Sequence, residues 1–173
     1  MAVDAGWPCS LYEYARNMKK IGLELKQIAW AIVTHFHMDH AGLIGEFQSL
    51  GISCIVFENQ VSSIAEMERI IRKNKNEYQD YQAIYREKLI QVQTRESGEY
   101  FESIGSKGEV LVTTGHSPDS ITFITDENEA LIGDLNPLNQ AMESDVNTIE
   151  SWDSIRKKGV KHVYPSHANP FDL

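Results

Sequence analysis

The sequence predicts a mixed α/β fold, and three observations lead there. Its 173 residues are close to the size of one domain and enough to bury a core. In the first third, two apolar β-rich runs flank a short helical segment, which spells a β-α-β unit with a right-handed crossover. Beyond residue 89, short β-rich runs recur at close spacing, so the second half reads as mostly strand.

Taken in order, Ser10-Leu-Tyr-Glu13 reads as a capping box opening a helix that Gly22 closes, with Leu11, Tyr12, Ala15 and Met18 as its apolar face. Ala29 to Thr34 is a short apolar strand of the kind buried on both faces, and it runs straight into His35-Phe-His-Met-Asp-His-Ala-Gly42. A short helix over about Leu43 to Leu50 follows, stopped by Gly51, and then a strand from Ile52 to Phe57. Between Ser62 and Leu89, the residues Ile64, Met67, Ile71, Tyr78, Tyr81 and Tyr85 recur at near-heptad spacing, predicting a long helix or a helical hairpin. Unbroken, it would reach on the order of 40 Å. A surface helix packed on the sheet is the plain reading, and a lid or a dimer seam the sharper ones. Further strands are expected at Leu89–Gln93, Glu99–Glu102, Glu109–Thr114, Ile121–Thr125 and Ala130–Ile132, with Asp126-Glu-Asn-Glu129 as a hairpin turn. A last helix, Asn147 to Lys158, turns Ile149, Trp152 and Ile155 inward and stops at Gly159, and a final strand over His162–Pro165 leads into Ser166-His167. No repeat, low-complexity stretch or linker interrupts a single domain over 1–173.

Composition excludes several classes. The chain is 42% hydrophobic and 24% charged, with no run approaching the roughly 18 apolar residues of a membrane span. A formal charge of -9 argues against nonspecific attraction to nucleic acid or to an anionic bilayer. The basic residues between 69 and 88 alternate with acids, as on a solvated helix face. The N-terminus shows no export signal and the two cysteines, Cys9 and Cys54, make no disulfide framework, so the cytoplasm is the expected location.

The chemical signal is His35-x-His37-x-Asp39-His40, which has a chance expectation of roughly four in ten thousand for a chain of this composition. In an extended segment, alternation points His35 and His37 the same way, so one ion can take both imidazoles. The turn that follows lets Asp39 and His40 address a neighbouring position. Three more strand ends carry ligand-type residues: Gly115-His116-Ser-Pro-Asp-Ser120, Leu131-Ile-Gly-Asp134 and Pro165-Ser-His167. His162 fits a partly exposed strand residue better than a ligand, and Asp119 and Ser120 fit turn chemistry better than substrate contact. Trp7 and Tyr164 stand beside motif ends, where pocket lining and core packing are equally compatible.

HFHMDH, GHSPDS, LIGD and PSH, in this order and preceded by Val3-Asp-Ala-Gly6, resemble the metal-ligand series of the metallo-β-lactamase superfamily. The resemblance runs from residue 3 to about 168. It implies a four-layer αβ/βα sandwich, with the 62–89 segment as a helical insertion. It also implies that His35, His37 and His116 bind one metal ion, that Asp39, His40 and His167 bind a second, and that Asp134 bridges them. Asp4 is then expected beside the ligands, orienting one of them through a hydrogen bond. Members of the family usually have two or more strands ahead of the VDTG-like segment, whereas this chain begins almost at it. A sheet edge is therefore expected to lie uncovered, and pairing with a second copy, or a shortened gene start, is expected from that.

Two divalent ions so held imply a hydroxide bridging them at neutral pH, with Asp39 orienting the attacking oxygen. Imidazole and carboxylate ligands suit zinc, and iron or manganese also fit. The expected function is hydrolysis of a small-molecule ester, thioester or lactone. Two alternatives stand beside it: an iron-dependent oxygenase on the same scaffold, and a metal-binding but inactive protein that binds a partner.

Overall fold

A computed structural model describes residues 1–173, and the chain forms two compact units. The first comprises Met1–Val56 and Val61–Gln91, and the second Phe57–Gln60 and Val92–Leu173. Each contains a sheet with helices, which is the mixed α/β architecture expected from the sequence.

The first unit is built on a four-stranded sheet in the order β1-β2-β3-β4, where β1 is Ala2–Val3, β2 Trp30–Ile32, β3 Ser53–Phe57 and β4 Ile90–Val92. β1 pairs in parallel with β2, and β2 in parallel with β3. Helix α1 (Leu11–Lys20) separates β1 from β2, and α2 (Met38–Ala41) with α3 (Ile44–Ser49) separates β2 from β3, as the β-α-β reading requires. Ser10 stands at the start of α1 but makes no capping bond to the helix; its hydroxyl donates to the Trp7 carbonyl instead, at 2.6 Å. The inward face of α1 also differs from expectation. Tyr12 is 78% exposed, while Tyr14 meets Phe47 edge-on at 5.3 Å. Phe47, Leu43, Val33, Val56, Ile64 and Ile71 form the core of this unit, and each such buried side chain contributes about 1.5–3 kcal/mol of transfer free energy.

The segment predicted as a long helix is helical only over α4, Ser63–Lys73. Ile64, Met67 and Ile71 of the periodic stripe are its buried face, but Tyr78, Tyr81 and Tyr85 lie beyond its end, in a chain that crosses α3 without regular structure. Two side chains hold that strap by imitating a backbone partner. Gln48 accepts from the Tyr85 N–H at 2.9 Å and donates to the Tyr85 carbonyl at 3.0 Å. Glu68 accepts from the Ile84 N–H at 3.0 Å. Gly45 lets the strap approach, since a Cβ there would stand 2.1 Å from the Gln82 carbonyl oxygen. Heptad spacing in a short window does not distinguish a helix from an irregular chain that half-buries a side chain every few residues.

The second unit carries a five-stranded sheet in the order β5-β6-β7-β8-β9: Glu109–Val112, Ile121–Ile124, Glu129–Gly133, His162–Pro165 and Phe171–Asp172. The β6–β7 hairpin turns where expected, with Asn128 at φ 61°. β7 and β8 run in parallel, with Gly133 level with Pro165, and the crossover between them carries α6, Val146–Lys157. Asp145 caps α6 by accepting from the Thr148 N–H. Trp152 and Ile155 of α6 pack on Ile124, Ile132 and Val163 of the sheet. Residues 99–102, predicted as a strand, belong instead to helix α5, Ser97–Ser103. Only Phe101 and Ser97 of that helix are buried, and Ser97 accepts from the Val110 N–H at 2.9 Å, so the helix is held by a few anchors rather than by a periodic apolar face. No helix is long and apolar enough to cross a membrane.

Candidate metal-binding residues

In the first unit, the parallel pairing of β1 and β2 sets Val3 level with Ile32, so the residues after both strands emerge at the same sheet edge. Asp4 leaves β1 at φ 65°, a left-handed conformation that aspartate tolerates better than most side chains. Its Oδ1 accepts from the Thr34 N–H at 2.7 Å and from the Thr34 hydroxyl at 3.0 Å, and its Oδ2 lies 2.9 Å from His40 Nδ1. An ionised carboxylate only accepts, so His40 carries its proton on Nδ1 and leaves the lone pair of the buried Nε2 on the side away from Asp4, with Asp39 Oδ2 at 3.4 Å. The Thr34 hydroxyl also reaches His35 Nδ1 at 3.1 Å, which ties a second imidazole to the same carboxylate.

His35 and His40 are each about 1% exposed, and their rings lie 4.1 Å apart. His35 Nε2 faces His37 Nδ1 at 2.9 Å. Two imidazole nitrogens bound to one tetrahedral zinc stand roughly 3.3 Å apart, given Zn–N distances of about 2.0–2.1 Å. The pair therefore suits a shared ion with little adjustment, as the alternation of the motif suggests.

In the second unit, three loops leave the sheet with the remaining candidates. His116 sits in the turn after β5, where Ser117 Oγ donates to Asp119 Oδ1 at 2.8 Å and Ser120 N–H donates to the Ser117 carbonyl at 3.1 Å. Asp119 and Ser120 thus build the turn, as expected. Gly115 is required beside His116: its carbonyl accepts from the Thr148 hydroxyl at 2.9 Å, and a Cβ there would lie 2.6 Å from Leu135 Cδ1 and 2.7 Å from the Thr148 Cα. Asp134 follows β7 after Gly133, and His167 follows β8, two strands that the parallel register sets side by side. Asp134 divides its carboxylate between two histidines, with Oδ2 3.9 Å from His116 Nε2 and Oδ1 3.5 Å from His167 Nε2.

The structure thus groups His35, His37, Asp39 and His40 with Asp4 in one unit, and His116, Asp134 and His167 in the other. His162, read as a strand residue, pairs with Asp172 of the neighbouring edge strand β9 at 2.6 Å. Tyr164 donates to Glu129 at 3.0 Å on the sheet. Burial raises the Cys54 thiol to about 12, so it is a core residue and not a nucleophile. Two participants escaped the sequence reading. Thr34, the link between Asp4 and His35, looked like the last residue of a strand. Tyr14, whose hydroxyl reaches the Asp4 carbonyl at 3.4 Å, lies in a helix whose sequence marks Leu11, Tyr12, Ala15 and Met18 as the apolar face.

The family model of the metallo-beta-lactamase superfamily matches residues 3–167. Among solved structures, a metallo-beta-lactamase family protein from Thermus thermophilus, TTHA1429, is 20% identical with a TM-score of 0.71; the match covers 98% of this chain and 65% of that one. The chain therefore spans less than two thirds of that protein's length. An archaeal superfamily protein from Sulfolobus tokodaii is 19% identical at a TM-score of 0.63, over 98% of this chain and 70% of its own. TTHA1623, solved in a di-iron-bound form, is 18% identical at 0.65, over 98% and 82%. These likenesses show a shared fold.

Proposed function

This chain belongs to the metallo-beta-lactamase superfamily, and from that premise we propose that it is a metal-dependent hydrolase acting on a small-molecule ester, thioester or lactone. The ligand assignment is part of the same proposal: His35, His37 and His116 for one ion, Asp39, His40 and His167 for a second, and Asp134 shared by both. The observation that carries it is the split carboxylate of Asp134, which offers one oxygen towards each of two histidines.

Divalent ions bound by this set would supply Lewis acidity and would bring the pKa of a neighbouring water from near 16 towards about 7. The chain's own residues then have limited tasks. Asp4 holds His40 in the Nδ1–H tautomer and, through Thr34, orients His35. Asp39 would orient the attacking hydroxide towards the substrate carbonyl. Zinc fits the nitrogen-rich donor set. Iron stands beside it because a structural neighbour, TTHA1623, takes a di-iron form, and with iron goes the oxygenase reading.

Protein loaded with zinc or with ferrous iron, assayed on ester, thioester and lactone panels with and without oxygen, separates these readings. Turnover with zinc in the absence of oxygen, lost on chelation, is the expected result. Turnover that needs both iron and oxygen would replace the hydrolase by the oxygenase, and tight metal binding without turnover of any panel member would leave a partner-binding protein.

A further inference from the structure

A groove of about 940 Å³ opens in the first unit next to the histidine motif. Its apolar lining comes from Trp7, Tyr12, Tyr14, Tyr78 and Met38, and Met38 lies in the chain between the proposed ligands His37 and Asp39. Trp7 is 48% exposed at this groove, an unusual place for a tryptophan that packing alone would have buried.

The loop that carries Trp7 is fixed to the motif from both sides. The Ala5 N–H donates to the His40 carbonyl at 2.6 Å, and the Gly42 N–H to the Gly6 carbonyl at 2.9 Å. Pro8 lies so close that a Cβ on Gly42 would stand 2.2 Å from its nitrogen. Cys9, which ends the loop, takes φ 62°, a left-handed conformation that a cysteine adopts only at a cost. The loop of Trp7 is thus fastened to the segment that carries Asp39 and His40.

The polar lining has one sign. Glu13 and Glu77 line the groove, and no lysine or arginine does; Arg16 reaches Glu13 only at 3.9 Å, with both side chains largely in solvent. The chain as a whole carries a formal charge of -9. Aromatic faces bordered by carboxylates attract ammonium groups through ring quadrupoles and charge together, and they disfavour anions.

We propose that this groove is a specificity site for the substrate, receiving an alkyl- or aryl-ammonium group, with Trp7 stacking on the cation and Glu77 balancing its charge. Calling the occupant substrate rests on the hydrolase reading; the recognition of the cation does not.

The test is calorimetric titration of the zinc-loaded full chain with benzyltrimethylammonium, and with neutral benzyl alcohol for comparison, on the wild type, Trp7→Ala and Glu77→Gln. Zinc content and circular dichroism are recorded on the same samples. Saturable binding of the cation is expected, with the alcohol at least about tenfold weaker. Trp7→Ala should weaken the cation roughly 5- to 30-fold and Glu77→Gln several-fold, at unchanged zinc content. Absent cation binding, equal binding of the alcohol, or a cation affinity that neither variant alters would overturn the proposal. Groove binding without zinc uptake would support the ammonium site and remove the hydrolase reading, whereas zinc-dependent turnover without cation binding would do the reverse.

Discussion

Replacing Asp4 by asparagine tests the contact that the geometry defines most sharply. The φ of 65° is as accessible to asparagine as to aspartate, so the backbone has no reason to move. Oδ1 must remain an oxygen, because it accepts from the Thr34 N–H at 2.7 Å. The amide nitrogen then takes the place of Oδ2, 2.9 Å from His40 Nδ1, and turns an acceptor into a donor. His40 can satisfy it only by moving its proton to Nε2, the nitrogen proposed to bind metal. The loss of a charge-assisted bond in favour of a neutral one is worth about 1–2 kcal/mol, and removal of an orienting partner typically weakens metal binding about 10- to 100-fold. Competitive titration of zinc against a chromophoric chelator reads this directly. We expect the ion assigned to Asp39, His40 and His167 to weaken by that factor in Asp4→Asn, while the ion assigned to His35, His37 and His116 changes less and Tm stays within a few degrees. Equal affinity at both sites in variant and wild type would refute the tautomer argument.

Other consequences are open to simpler measurements. Gly115→Ala puts a Cβ 2.7 Å from the Thr148 Cα, so the start of α6 must shift; overpacking of this kind costs about 1–3 kcal/mol, seen as a Tm lower by several degrees, and a thermal scan matching the wild type would contradict it. Glu46 is 5% exposed, and burial pushes its pKa above the ordinary 4.5 despite a hydrogen bond from the Cys9 backbone. Its folded-state pKa is therefore raised, so the stability present below 4.5 is lost as pH rises through the folded value. Glu46→Gln, neutral throughout, should raise Tm at pH 8 and lose most of that gain by pH 4; a gain that does not vary with pH would contradict this.

Much of the candidate site could be read from residue order because strand ends carry it. His35, Asp134 and His167 each follow an apolar run by one to four positions, and strand geometry delivers such residues to a sheet edge whatever the rest of the chain does. The links behind them were less legible. Thr34 contributes through a hydroxyl that bridges Asp4 to His35, a contact between residues 30 positions apart that no local pattern announces. The same limit explains the misread elements. Tyr78, Tyr81 and Tyr85 recur like a helix face, yet their segment is a run of turns and irregular chain whose far end is held by Gln48 and Glu68, partners distant in sequence. Helix α5 buries only Ser97 and Phe101 of its seven residues, leaving no 3.6-residue stripe to find. Strand β9 is two residues long and has no pattern at all.

The central claim is that these histidines and aspartates hold a pair of metal ions. Elemental analysis of the protein purified without added metal, beside a His116→Ala, Asp134→Ala variant prepared in parallel, addresses it most directly. About two equivalents of zinc, iron or manganese are expected in the wild type, and their loss in the variant; a wild type that takes up no metal, even after reconstitution, would contradict the claim.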